Sequence, residues 1–171
     1  MNVLLTGFGP FPGVPDNPTA ALVRELDGRD AGGHQLVGRV LPVSYDRGPA
    51  ETIRIARDIG AVLVLGFGVA VGRDGVEVEC VGVAATAGRL DVDGRCPDRL
   101  AGAERVEATV DVQRLASALD ARLSVDAGRY VCNAWLHDVT SSLDVPVGFV
   151  HVPPASIRPE RVLSALAAIL V

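Results

Sequence analysis

Aliphatic runs without polar alternation limit what this chain can fold into more than any other feature of it. Asn2–Thr6 (NVLLT), Ala61–Gly66 (AVLVLG) and most of Val147–Val152 (VGFVHV) present apolar side chains to both sides of an extended backbone. Such strands need cover on both faces, as parallel strands in α/β proteins have. The segments between them read as helices. Asn17-Pro18 opens one through about Leu26, with proline at the tolerated first turn. Gly48–Ile59, Asp111–Leu123, Tyr130–Leu143 and an amphipathic Pro159–Leu170 follow. Gln35–Val43 reads as a further strand, and Gly75–Ala84 (GVEVECVGVA) has strand composition with Glu77 and Glu79 on one face. Residues 86–103, rich in Gly, Asp and Arg, form the longest irregular stretch. Strands alternating with helices across short connections predict one domain over residues 1–171, a three-layer α/β/α fold on a mostly parallel twisted sheet.

Charge and cysteine usage narrow the function. The net charge of −5 and the absence of basic runs leave no electrostatic footprint for nucleic acid or an anionic membrane. All 16 cations are arginine, which excludes a Schiff-base lysine and a phosphate-binding Walker lysine. Cys80, Cys96 and Cys132 make an odd set without Cys-x-x-Cys or zinc spacing, so reduced thiols in a cytoplasmic protein are expected. The first cation after Met1 is Arg24, which is not the charged start of a signal peptide, and the apolar run Ala61–Val71 is too short to span a bilayer.

In open α/β sheets ligands bind beyond the carboxyl ends of the strands. Phe8 is expected to follow the first strand, Phe67 the third, and His151 to close the last. Most lone cysteines are small buried hydrophobes. Cys132 differs because it lies just past Gly128, at the expected start of a helix, where unpaired N–H groups and the helix dipole favour a thiolate and an oxyanion. A thiol nucleophile needs a base. His34 lies in a connection and His137 in mid-helix, where a surface or capping role is expected, whereas His151 ends a buried strand and fits either a site or a hydrogen-bonded core position equally. An acid to fix its tautomer would complete the set; Glu79 fits, and Glu77 shares its face.

Four stretches, in order, resemble the pyroglutamyl peptidase I family, the pyrrolidone carboxyl peptidases. They are Thr6-Gly7-Phe8-Gly9-Pro10-Phe11 with Asn17-Pro18, Gly72-Arg73 with Glu79, Ser124 to Asn133, and Gly148 to Pro153. The resemblance implies a phosphorylase/hydrolase-like fold and a cysteine exopeptidase that removes N-terminal pyroglutamate from peptides, with no metal or cofactor. It implies Cys132 as nucleophile, His151 as general base, Glu79 as the orienting carboxylate and Arg89 near the oxyanion. Phe8 and Phe11 would flank the lactam ring and Asn17 would hold the adjoining loop. Phe67 stands where the family usually has a glutamine that bonds the lactam, Cys80 where it has a basic residue, and Ala84 where it has asparagine. The family commonly forms tetramers, so a homo-oligomer is implied, although this chain is shortened after Glu79 and after His151. Two alternatives follow from the departures: a thiol amidase for another small lactam or N-blocked substrate, and a non-catalytic binding protein on the same scaffold.

Overall fold

The computed structural model describes residues 1–170. The first half alternates as the apolar runs demand: β1 (Asn2–Phe8), α1 (Pro18–Leu26), β2 (Asp30–Ala31), β3 (His34–Leu41), α2 (Arg47–Asp58) and β4 (Ala61–Val69). Short strands then intervene: β5 (Glu77–Glu79), β6 (Val81–Val83), β7 (Arg105–Glu107), α3 (Val112–Ala118) and β8 (Arg122–Ser124). The chain closes with α4 (Val131–Ser142), β9 (Val147–Val152) and α5 (Pro159–Ile169).

The main sheet runs β2-β3-β1-β4-β9-β5-β8. Its centre, β3-β1-β4-β9, is parallel, while β5 runs antiparallel to β9 and parallel to β8. β6 and β7 form a separate two-stranded ribbon. Side chains of β1, β4 and β9 alternate between two apolar layers, as successive strand residues must. Val3, Leu5, Leu65, Phe67 and Val150 pack under α1, α3 and α5. Leu4, Phe8, Val64 and Phe149 pack under α2 and α4, where Trp135 donates its indole N–H to Thr52 Oγ1 at 2.8 Å. The architecture is therefore the expected α/β/α sandwich.

Three local expectations change. Gly75–Ala84 is two strands in two sheets: the Cys80 N–H bonds Ser124 O at 2.7 Å, and the chain leaves the main sheet there. The helix expected over 111–123 ends at Leu119, because Asp120 takes a φ of 46°, and the remainder becomes β8. His137 is neither exposed nor a cap. It is 0% exposed, with its ring nitrogens 2.7 Å from Asp138 Oδ1 and 2.8 Å from Ala103 O. The loop before β7 folds over α4 and covers that face.

Candidate active site

Each prospective site residue is positioned by a separate local device. Asn17 caps α1: its Oδ1 accepts the Thr19 backbone N–H at 3.1 Å and the Thr19 hydroxyl at 2.8 Å. Its Nδ2 donates to Gly9 O at 3.0 Å, which ties the loop after β1 to the helix. Cys132 is the second residue of α4, whose N-cap, Tyr130, supplies no side-chain hydrogen bond. The first-turn N–H groups therefore keep their capacity to bind a negative oxygen. The chain swings into this helix at Gly128, at a φ of 81°, a conformation glycine adopts without strain.

The sheet brings the thiol to its partner through a missing side chain. Gly68 is the register partner of His151, and a Cβ at position 68 would lie 2.7 Å from Cys132 Sγ. The sulfur thus occupies space that any larger residue would fill, next to the strand position that carries the imidazole, and both side chains line one pocket. His151 Nδ1 donates to Glu79 Oε1 at 2.6 Å, fixing the tautomer and leaving the other ring nitrogen for the thiol. Of the two glutamates, Glu79 is the one that meets the ring. Glu79 is 0% exposed and bonded to the ring, whereas Glu77 pairs with Arg73 and, at 3.0 Å, with Arg122.

The electrostatics follow from burial and partners. Burial alone would lower the His151 pKa, but hydrogen bonds to Cys132 and Glu79 and their charges overcome it and raise the value from 6.5 to about 9. Burial pushes the Glu79 carboxyl upward, yet the His151 hydrogen bond and charge, with Arg73 behind them, hold it below its ordinary value. The buried ring can therefore carry a proton at neutral pH.

In front of these groups lies a cavity of about 210 Å³. Phe8, Phe11, Val43, Val69 and Val71 give it apolar walls, and Cys132, His151 and Arg89 stand at its polar end. Arg89 is clamped by aromatic rings, its guanidinium carbon 4.4 Å from the Tyr130 centroid and 5.5 Å from that of Phe11. Phe67 does not belong to this lining. It lies within β4 and is 0% exposed, pointing to the opposite layer because Gly66 and Gly68 are the residues that face α4. Val69 and Val71, further along the same chain segment, line the pocket in its place, while alternation along β4 puts Phe67 with Leu63 and Leu65 in the layer away from α4. Among the described residues, no group of three His, Cys, Asp or Glu is gathered as a metal site. Among the described residues, no helix is long and apolar enough to cross a membrane.

A family model described as pyroglutamyl peptidase matches residues 1–166. This chain belongs to the pyroglutamyl peptidase family. Among relatives within it, the pyrrolidone-carboxylate peptidase of Halalkalibacterium halodurans is 35% identical over 167 residues, covering 88% of this chain and 83% of that protein. That of Coprothermobacter proteolyticus is 31% identical, covering 98% and 91%. The solved pyrrolidone carboxyl peptidase of Thermococcus litoralis superposes with a TM-score of 0.87 at 28% identity, covering 99% of this chain and 91% of the other. As a family member, the chain is a hydrolase of the cysteine peptidase kind.

Proposed function

We propose that Cys132, His151 and Glu79 act as nucleophile, general base and orienting carboxylate in removing an N-terminal pyroglutamyl residue from peptides. The observation that carries this reading is the His151 ring bonded to a fully buried Glu79 oxygen, with the ring and the Cys132 sulfur lining the same apolar pocket.

A pyroglutamyl residue has no charged amine, since its side chain has closed onto the nitrogen. A neutral ring enters a slot walled by Phe8, Phe11 and Val69 at little cost, whereas an ammonium terminus would lose its water without gaining a partner. The thiolate attacks the pyroglutamyl carbonyl. The first-turn N–H groups of α4 are suited to receive the oxyanion, and Arg89 at the pocket wall supplies a supporting positive charge. His151 gives its proton to the departing amine, and a pyroglutamyl thioester remains on Cys132. Water, deprotonated by the same ring, then cleaves the thioester and returns the thiol. Asn17 serves indirectly by fixing the loop that carries Phe11. The substrates are then peptides in a reducing cytoplasm, where Cys80, Cys96 and Cys132, all unpaired in the fold, stay as thiols.

Release of fluorophore from a pyroglutamyl amide tests the reading, with Cys132→Ala as the blank. Turnover that disappears in the blank supports it. Equal signal from the two proteins, or preference for an N-acetyl amide over the pyroglutamyl one, would sink it.

A further inference from the structure

The triad does not end at Glu79. The Arg73 guanidinium places Nη1 at 2.7 Å from Glu79 Oε1, the same oxygen that receives His151 Nδ1, and Nη2 at 2.7 Å from Asp126 O. Nη1 also contacts Glu77, whose carboxylate reaches Arg122 on the edge strand. We infer that Arg73 is a positioning residue for the hydrolysis, clamping the Glu79 carboxylate to the segment that leads into the nucleophile helix. This rests on the triad proposed above and extends it by one member.

The geometry gives Arg73 two tasks. One is electrical. Glu79 is fully buried, and a carboxylate there would take up a proton unless cations or N–H donors face it. The charged and titratable groups around it are His151 from β9, Arg73 from the preceding loop, Glu77 on its own strand, Arg122 from β8 by way of Glu77, and the adjoining Cys80. Of the two arginines, only Arg73 bonds Glu79, and it does so while partly buried, where screening is weak. The other task is mechanical. Asp126 lies six positions before Cys132, in a turn whose Oδ1 accepts the Gly128 N–H at 3.0 Å. A planar fork can hold a carboxylate on one arm and a carbonyl on the other; an ammonium cannot reach both in that geometry. Acid and nucleophile thus share one rigid connector. Arg73 lies outside the pocket lining, so it acts on catalysis through Glu79 and not by touching substrate.

The test is the pH profile of kcat/KM for Arg73→Met, Arg73→Lys, Glu77→Gln and Glu79→Gln. The acid limb belongs to the coupled Glu79, His151 and Cys132 set. Without Arg73 that limb should move up by about one pH unit, since a facing cation typically shifts a carboxyl by that much or more. In the same variant kcat should fall about tenfold with KM within about twofold, because orientation is lost and binding is not. Arg73→Lys should bring the limb back toward wild type, with kcat only partly restored. An unmoved limb in Arg73→Met, or no rescue by lysine, overturns the inference. Should Arg73→Met fail to fold, Glu77→Gln decides: removing that neighbouring anion should move the limb down, and a limb that stays or rises overturns the inference too. If Glu79→Gln retains the wild-type rate, the triad itself is wrong; if it loses the rate while Arg73→Met keeps the wild-type profile, the Arg73 inference alone falls.

Discussion

Replacing Gly68 by alanine adds one methyl group at the point where strand β4 passes Cys132, the proposed nucleophile. That carbon would lie 2.7 Å from Cys132 Sγ and 2.9 and 3.0 Å from Phe149 Cζ and Cε1. Comfortable separation for such atoms is about 3.5 to 4 Å, so the overlap is about 1 Å. Phe149 is fully buried against Trp135, at 5.3 Å between ring centroids, and has no room to retreat. The sulfur sits on a short side chain at the pocket mouth and is the group that yields. Overpacking of this kind costs about 1–3 kcal/mol of stability, which leaves a domain of this size folded. A displacement of about 1 Å at the nucleophile is worth about a hundredfold in kcat. The expected outcome is a folded Gly68→Ala enzyme with kcat down about two orders of magnitude and KM much less altered. Urea titration and steady-state kinetics on the pyroglutamyl amide measure both. A variant with wild-type kcat would refute the packing of the sulfur over Gly68, and with it the placement of thiol against imidazole.

Further outcomes follow from named contacts. The His151 ring should keep its proton to about pH 9 in wild type and titrate lower in Cys132→Ala, where the strongest raising contact is gone; NMR of the ring carbon protons reads this directly. Because the folded value lies above the ordinary 6.5, this group's contribution to stability is complete below pH 6.5 and is lost as pH rises through about 9, visible as a falling Tm. Phe67→Ala should cost about 3–5 kcal/mol in denaturant titration with KM nearly unchanged, whereas Phe11→Ala should raise KM at small cost in stability. Asn17→Ala should lose about 1 kcal/mol with its cap and raise KM as the loop carrying Phe11 slackens; an unchanged KM would separate that loop from the pocket.

The parts of the fold legible in sequence were those written in continuous apolar runs. Val147–Val152 forms the strand expected of it, and Ala61–Gly66 lies within β4, because full burial leaves no competing pattern. Strands of two or three residues carry no such signal, so Arg105–Glu107 and Arg122–Ser124 emerge only from pairing with distant partners, and Asp30–Ala31 from a tight hairpin onto His34 and Gln35. The site divides in the same way. Motif order pointed to Cys132, His151 and Glu79, and local hydrogen bonding explains Asn17. Choosing Glu79 over Glu77 needed three dimensions, because both lie on one face and only the carboxylates' directions separate them. Phe67 was misplaced because its strand was expected to stop at Gly66, whereas β4 runs on to Val69 and buries the ring in the opposite layer. His137 was misjudged because burial by a remote loop leaves no trace in helical periodicity.

Strand β9 joins the molecule last in sequence yet lies between β4 and β5 in space. Until it is threaded there, the sulfur at 132 and the carboxylate at 79 have no imidazole between them, so the proposed catalytic set is incomplete in a newly made chain. Pairings across such long sequence separations form slowly. Restored turnover after dilution from denaturant should therefore trail early helix signals and coincide with completion of the central sheet, so that proteolytic power switches on only in chains that have finished folding.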